Sequence, residues 1–92
     1  MNQPDQYELR VTGPAKRQLN RLREGTAAAI VEFMLGPLLD NPHRVGGELQ
    51  QELTGLRSAR RGIYRIVYEI IERDNAVVVH RIDHRSNIYR QR

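Results

Sequence analysis

The strongest constraint on this chain is a pair of apolar runs near its end. Ile63-Tyr-Arg-Ile-Val-Tyr-Glu-Ile-Ile71 and Ala76-Val-Val-Val-His-Arg-Ile-Asp83 are rich in β-branched and aromatic residues, and the polar stretch Glu72-Arg-Asp-Asn75 separates them. Such side chains suit a pleated, covered surface, and a short polar stretch suits a reversal of direction. The pattern predicts a β-hairpin. Both runs are apolar on both sides near their middles, so both strands need cover on each face and belong in the centre of a sheet.

The first half of the chain supplies that cover. Residues 7–11, Tyr-Glu-Leu-Arg-Val, alternate apolar and polar and read as a first strand. Thr12 or Gly13 then caps a helix with Pro14 in its first turn, where the missing N–H removes no bond. Ala15, Leu19 and Leu22 recur at helical spacing along one face. Gly25 is read as the stop of this helix and Thr26 as the cap of a second, running from Ala27 to about Leu35. Gly36-Pro37 marks a kink or restart before Asn41-Pro42 turns the chain. Residues 41–54 read as a connection in which Glu48 to Leu53 form either a helical or an extended turn. The second helix is apolar nearly all round, which asks for contact with the sheet and with the first helix or a partner.

Ninety-two residues leave room for one core. Residues 1–92 are therefore expected to form a single α+β domain in the order β-α-α-β-β-β, a helical hairpin packed on one face of a small antiparallel sheet.

The absence of cysteine excludes disulfides, cysteine-ligated zinc and thiol chemistry. The polar first seven residues and the lack of any apolar run near ~20 residues point to a soluble, cytoplasmic protein without a membrane partner. The net charge is +4, and all fifteen basic residues except Lys16 are arginine. Codon usage in a GC-rich genome explains arginine for lysine, but not where the arginines lie. Arg57, Arg60, Arg61 and Arg65 fall in one acid-free stretch, and Arg81, Arg85, Arg90 and Arg92 accompany only Asp83. Arginine's planar fork matches phosphate, so two clusters on adjacent strands read as one nucleic-acid-facing patch.

The run Leu53-Thr-Gly-Leu-Arg-Ser-Ala-Arg-Arg-Gly-Ile-Tyr-Arg-Ile-Val-Tyr68, followed by His84-Arg-Ser-Asn-Ile-Tyr-Arg90, resembles the RelE family of bacterial toxins. It joins that family's L-x-G-x-x-S-x-R, Y-R-I-V-Y and H-R-x-x-x-Y motifs at the usual separations. The resemblance implies a toxin held inactive by a cognate acidic antitoxin in a hetero-oligomer. It also implies an endoribonuclease that acts on mRNA at the ribosomal A site through the ribose 2′-hydroxyl, with no metal or other cofactor. Arg65 matches the phosphate-binding arginine and Arg60 the basic residue before it. Arg85 matches the arginine assigned to the leaving group, and Tyr89 a tyrosine that stacks on a base and orients the 2′-hydroxyl. These four form the expected catalytic set. Arg57, Arg61, Arg81 and His84 are expected to bind RNA.

The proton acceptor stays open. Some members carry lysines where this chain has Leu56 and Ser58, and others a glutamate at the position of Gly47, one residue before Glu48. Glu48, Glu52 and His84 are the alternatives. His80, Ile82 and His84 fall at strand spacing, but no third ligand accompanies the two histidines, so a metal pair is rejected. His43 reads as a surface residue. Two rival functions compete: a ParE-type toxin that poisons DNA gyrase, and a basic RNA-binding module without catalysis.

Overall fold

A computed structural model describes residues 6–84. Strand β1 (Glu8–Val11) is followed by helices α1 (Gly13–Asn20) and α2 (Glu24–Leu35) and two one-turn helices, α3 (Pro37–Asp40) and α4 (Pro42–Val45). A two-residue strand β2 (Gly47–Glu48), a 3₁₀ turn (Gln51–Leu53) and the meander β3 (Arg57–Arg61), β4 (Tyr64–Ile71) and β5 (Ala76–His84) complete it. The 47–53 connection is thus both extended and helical. No helix among the described residues is long and apolar enough to cross a membrane.

The five strands lie in the order β1-β5-β4-β3-β2, and the apolar hairpin β4–β5 occupies the interior as its pattern requires. Three of the pairings are antiparallel. The fourth departs from the expected antiparallel sheet, because β1 runs parallel to β5, Glu8 opposite Ala76 and Val11 opposite Val79. Parallel neighbours need a long crossover. Here the helices carry the chain across one face to the far edge, and the meander returns it to β1.

Local chemistry explains the helix ends. Thr12 is extended and its Oγ1 accepts the Ala15 N–H at 3.3 Å, so the threonine, not Gly13, caps α1. α1 stops at Asn20, before Gly25, and α2 begins at Glu24 with Arg23 at its cap, so Thr26 caps nothing. An acidic residue in the first turn favours the positive end of the helix dipole, and a glycine there breaks no intrahelical bond. Gly36 ends α2, and Pro37 opens α3 as the Gly-Pro pair suggested.

The core lies between the helices and one sheet face. Ile30, Met34 and Leu38 meet Ile66, Tyr68, Val77, Val79 and Ile82, all essentially buried. Each large aliphatic buried this way contributes about 1.5–3 kcal/mol of hydrophobic stabilisation.

That list of β5 residues steps from Val77 to Val79 and then to Ile82, breaking the period of two. A β-bulge is the cause: Tyr68 faces Val79 and Val67 faces Arg81, leaving His80 without an opposite residue. Beyond the bulge the parity of β5 is reversed. Ile82 turns into the core, and Arg81 and Asp83 turn to the face that carries no helix. The upper half of β5 also outruns β1, whose ladder stops at Val79. Side chains of α1 and its cap cover that bare edge: Thr12 Oγ1 donates to the His80 carbonyl at 3.2 Å, and Gln18 Oε1 accepts the Ile82 N–H at 2.8 Å.

Candidate nucleic-acid interface

The open face of the sheet collects the arginines. Arg60, Arg65 and Asp83 form one row across β3, β4 and β5, and Ser58, Val67 and Arg81 form the next. Directly opposed residues share a face, about 5 Å apart at Cβ. Arg65 Nη1 lies 3.5 Å from the Ser58 hydroxyl, itself buried. Arg81 Nε lies 3.3 Å from Asp83 Oδ2, and Asp83 is also held by Gln18 Nε2 at 3.3 Å. The Arg81 side chain is buried enough that its Nη2 has no hydrogen-bond partner among the described residues. Arg60 is exposed at the sheet edge and also borders a cleft with Phe33 and Pro37. Arg60, Arg65, Arg81, Asp83 and Glu69 therefore share a surface open to solvent, and Arg10 and Glu8 of β1 lie further along the same face.

The other described residues expected to bind RNA go elsewhere. Arg57 turns to the helix side, where its Nη2 donates to the carbonyls of His43 at 2.8 Å and Gly46 at 2.9 Å, and Nη1 meets Glu48 at 3.5 Å. Only 15% of its side chain is exposed. It fastens the 42–48 segment to β3. Buried beside it, Tyr68 donates to the Pro42 carbonyl at 2.6 Å; burial pushes the phenol's pKa up, and the Arg57 guanidinium opposes this in lesser measure. Arg61 pairs with Tyr64 on the same side. With Arg23 and Ile63 these residues line a groove of about 540 Å³ beside the start of α2. His84 lies opposite Tyr64, their rings edge to face with centroids 5.7 Å apart. The single patch expected from two arginine clusters is split: Arg60, Arg65 and Arg81 share the open face, while Arg57, Arg61 and His84 belong to the helix side. Arg85 and Tyr89 lie outside the described residues.

Among the open candidates for a proton acceptor, Glu48 is highly exposed and paired across to Arg57, and Glu52 is exposed in the 3₁₀ turn. The strand spacing of His80, Ile82 and His84 does not put them on one face, because the bulge divides His80 from the other two. Sequence reasoning passed over Asp83, Glu69 and His80 as members of the arginine face. The step of three between apolar Val79 and Ile82 is the signal that could have found them.

Residues 9–89 match the family model of the ParE toxin of the type II toxin-antitoxin system parDE. The chain belongs to the RelE/ParE family of type II toxins. The toxin is 49% identical over 90 residues to Toxin RelE of Mycobacterium tuberculosis strain ATCC 25618 / H37Rv, covering 98% of this chain and 93% of that one. It is 47% identical over 85 residues to Toxin RelG of the same organism, covering 92% and 98%. Among solved structures, the toxin-antitoxin complex RelBE2 from Mycobacterium tuberculosis contains a chain that matches with a TM-score of 0.86 and 43% identity, over 94% of this toxin and 99% of that chain. The family resemblance carried by the 53–68 and 84–90 motifs is thus borne out.

Proposed function

We propose that this toxin is an endoribonuclease that cleaves mRNA in the ribosomal A site by attack of the ribose 2′-hydroxyl on the adjacent phosphate. The observation that carries the reading is the pairing of Arg60 with Arg65 on the open sheet face, with Arg81 in the neighbouring row. Close identity to toxins named RelE and RelG supports it. A scissile phosphate that passes through a crowded, doubly charged phosphorane needs fixed cations aimed at its oxygens. Two guanidiniums on adjacent strands provide forked sets of N–H donors side by side. In this reading Arg60 and Arg65 grip the phosphate, Arg85 stabilises the departing 5′-oxygen, and Tyr89 stacks on a base and orients the 2′-hydroxyl.

Arg81 borders the same phosphate path. Arg57 is left out of the RNA contact set because its donors serve the carbonyls of His43 and Gly46. Arg61 and His84, on the helix side, serve the flanking RNA or the ribosome. The partner is an acidic antitoxin, whose carboxylates match the arginine face and whose apolar residues match the exposed Leu35 and Ile63. Ribosomes and mRNA put the site of action in the cytoplasm.

Primer extension on translating ribosomes tests the reading. New mRNA 5′ ends at the A site are expected in the presence of toxin, and none with Arg65→Ala. The description of the matching family as ParE favours one second reading, poisoning of DNA gyrase. Intact mRNA together with inhibited gyrase supercoiling would select it.

A further inference from the structure

The open face holds one more polar pair. His80 Nε2 lies 3.1 Å from Glu69 Oε1, and the two side chains are 36% and 42% exposed. Both border a groove of about 540 Å³ whose other walls include Pro14, Leu53, Leu56, Val67 and Arg81. The groove continues the arginine face. Arg81 is the next residue after His80, and Val67, opposite Arg81, stands two residues along β4 from Arg65. Two residues of strand span about 7 Å, within the reach of one nucleotide and its phosphate.

The bulge is why these groups meet. In a regular strand His80 and Arg81 would point to opposite faces; the extra residue lets both face the groove. Bulges are enriched beside active sites because they re-aim a side chain in this way. An ion pair this exposed adds little to stability, so fold stability does not explain a bulged histidine tied to a carboxylate.

We propose that His80 is the proton acceptor of the cleavage reaction, with Glu69 as its positioning residue. The inference rests on the ribonuclease reading above and fills the role left open there. With its Nε2–H donated to Glu69, the ring presents Nδ1 as the lone-pair acceptor. The step balances. The ribose 2′-oxygen bonds to phosphorus, its proton passes to Nδ1, and the P–O5′ bond breaks. The 5′-oxygen takes a proton from water, and His80 then returns its own proton to the hydroxide. The products are a 2′,3′-cyclic phosphate and a 5′-hydroxyl. The imidazolium formed on the way faces the Glu69 carboxylate, a charge match that exists only once transfer has begun. The charged groups bordering the groove are Glu69 on β4 and Arg81 on β5; Pro14 from α1 and the 53–56 turn bring none.

Single-turnover cleavage of mRNA on programmed ribosomes, followed from pH 5 to 8, is the test. Wild-type toxin should show a rising limb, its rate increasing with pH as a proton acceptor that must be deprotonated requires. His80→Ala should cut the rate by ~10²-fold or more and abolish the limb, and added imidazole should restore part of it through the vacated groove. His80→Gln, which keeps an N–H toward Glu69, should fold normally in a thermal melt and be as slow as His80→Ala. Glu69→Gln should lower the rate less and shift the limb. Wild-type toxin that fails to cut the message sinks both readings. Wild-type cutting matched in rate and pH limb by His80→Gln overturns the role of His80 and leaves the ribonuclease standing.

Discussion

Gly46 offers a sharp test of how the 42–48 segment is held. Its backbone is extended (φ −140°, ψ 167°), a conformation open to any residue, so a substitution there carries no backbone penalty and tests packing alone. A Cβ at this position would stand 2.5 Å from the Tyr68 hydroxyl and 2.7 Å from the Ser58 carbonyl oxygen. Neither neighbour yields easily. Tyr68 is fully buried and its hydroxyl donates to Pro42, while Ser58 belongs to the β3 ladder. Overpacking of this kind costs ~1–3 kcal/mol, and displacing the phenol from its buried acceptor costs a further ~1–3 kcal/mol. Gly46→Ala should thus destabilise by about 2–6 kcal/mol. In a domain of this size that lowers the melting temperature by at least about 8 °C. Gly47 is the control: a Cβ there meets nothing within 4 Å, so Gly47→Ala should be neutral or slightly stabilising. Circular-dichroism melts of purified toxin measure both. In the Gly46→Ala background, Tyr68→Phe should recover part of the loss by removing the nearest clashing atom. A Gly46→Ala melt within about 2 °C of wild type would refute the close approach.

Other outcomes follow from the same geometry. Arg57→Ala should lower stability by about 2–3 kcal/mol in denaturant titration, since it removes two hydrogen bonds from a charged donor, the stronger kind; the salt dependence of RNA binding should not change. Arg60→Ala and Arg81→Ala should each reduce the salt slope of single-stranded RNA binding by about 0.7, one phosphate's worth, and an unchanged slope in both would remove RNA from the open face. Glu72 accepts from His43 and from the Tyr7 hydroxyl at 2.9 Å, and these two donors, His43 foremost, hold its carboxyl below the ordinary range. A carboxyl lowered on folding stabilises above its unfolded titration range, and that contribution is lost as the pH falls through the lowered folded value. Glu72→Gln should lower the neutral plateau of a stability-versus-pH curve slightly and flatten its acid limb, so that variant and wild type converge at low pH. Arg85→Ala should slow single-turnover cleavage by ~10²-fold, with lysine restoring only part of it.

Periodicity made the sheet's centre legible. The runs 63–71 and 76–83 announce two covered strands, and their placement between β1 and β3 is what covered strands require. Motif spacing made the family legible for the same reason: Arg65 sits in a strand whose phase is fixed by Ile66 and Tyr68. The helix boundary near Gly25 misled because a glycine tolerated in a first turn looks like one that ends a helix. Arg57 misled more seriously. Its charge suggests solvent or phosphate, and only the tertiary approach of the carbonyls at His43 and Gly46 gives its guanidinium partners within the protein. The direction of β1 depends on where the last strand returns, which no local pattern encodes. The bulge at His80 hid half of the arginine face, since reading β5 in strict alternation sends Arg81 to the wrong side.

The parallel pairing of β1 with β5 has a consequence for when the toxin comes into being. Thr12 and His80, joined at the top of that pairing, are 68 residues apart in sequence. Closing so long a loop costs ~2 kcal/mol more entropy than closing the short turn between β4 and β5, so the meander is favoured to form first and β1 to dock last. β5 is also the last of the described strands to be synthesised. A nascent chain still short of β5 has neither a closed sheet nor Arg81 and Asp83, so the ribosome making the toxin holds an incomplete one until β5 has been added.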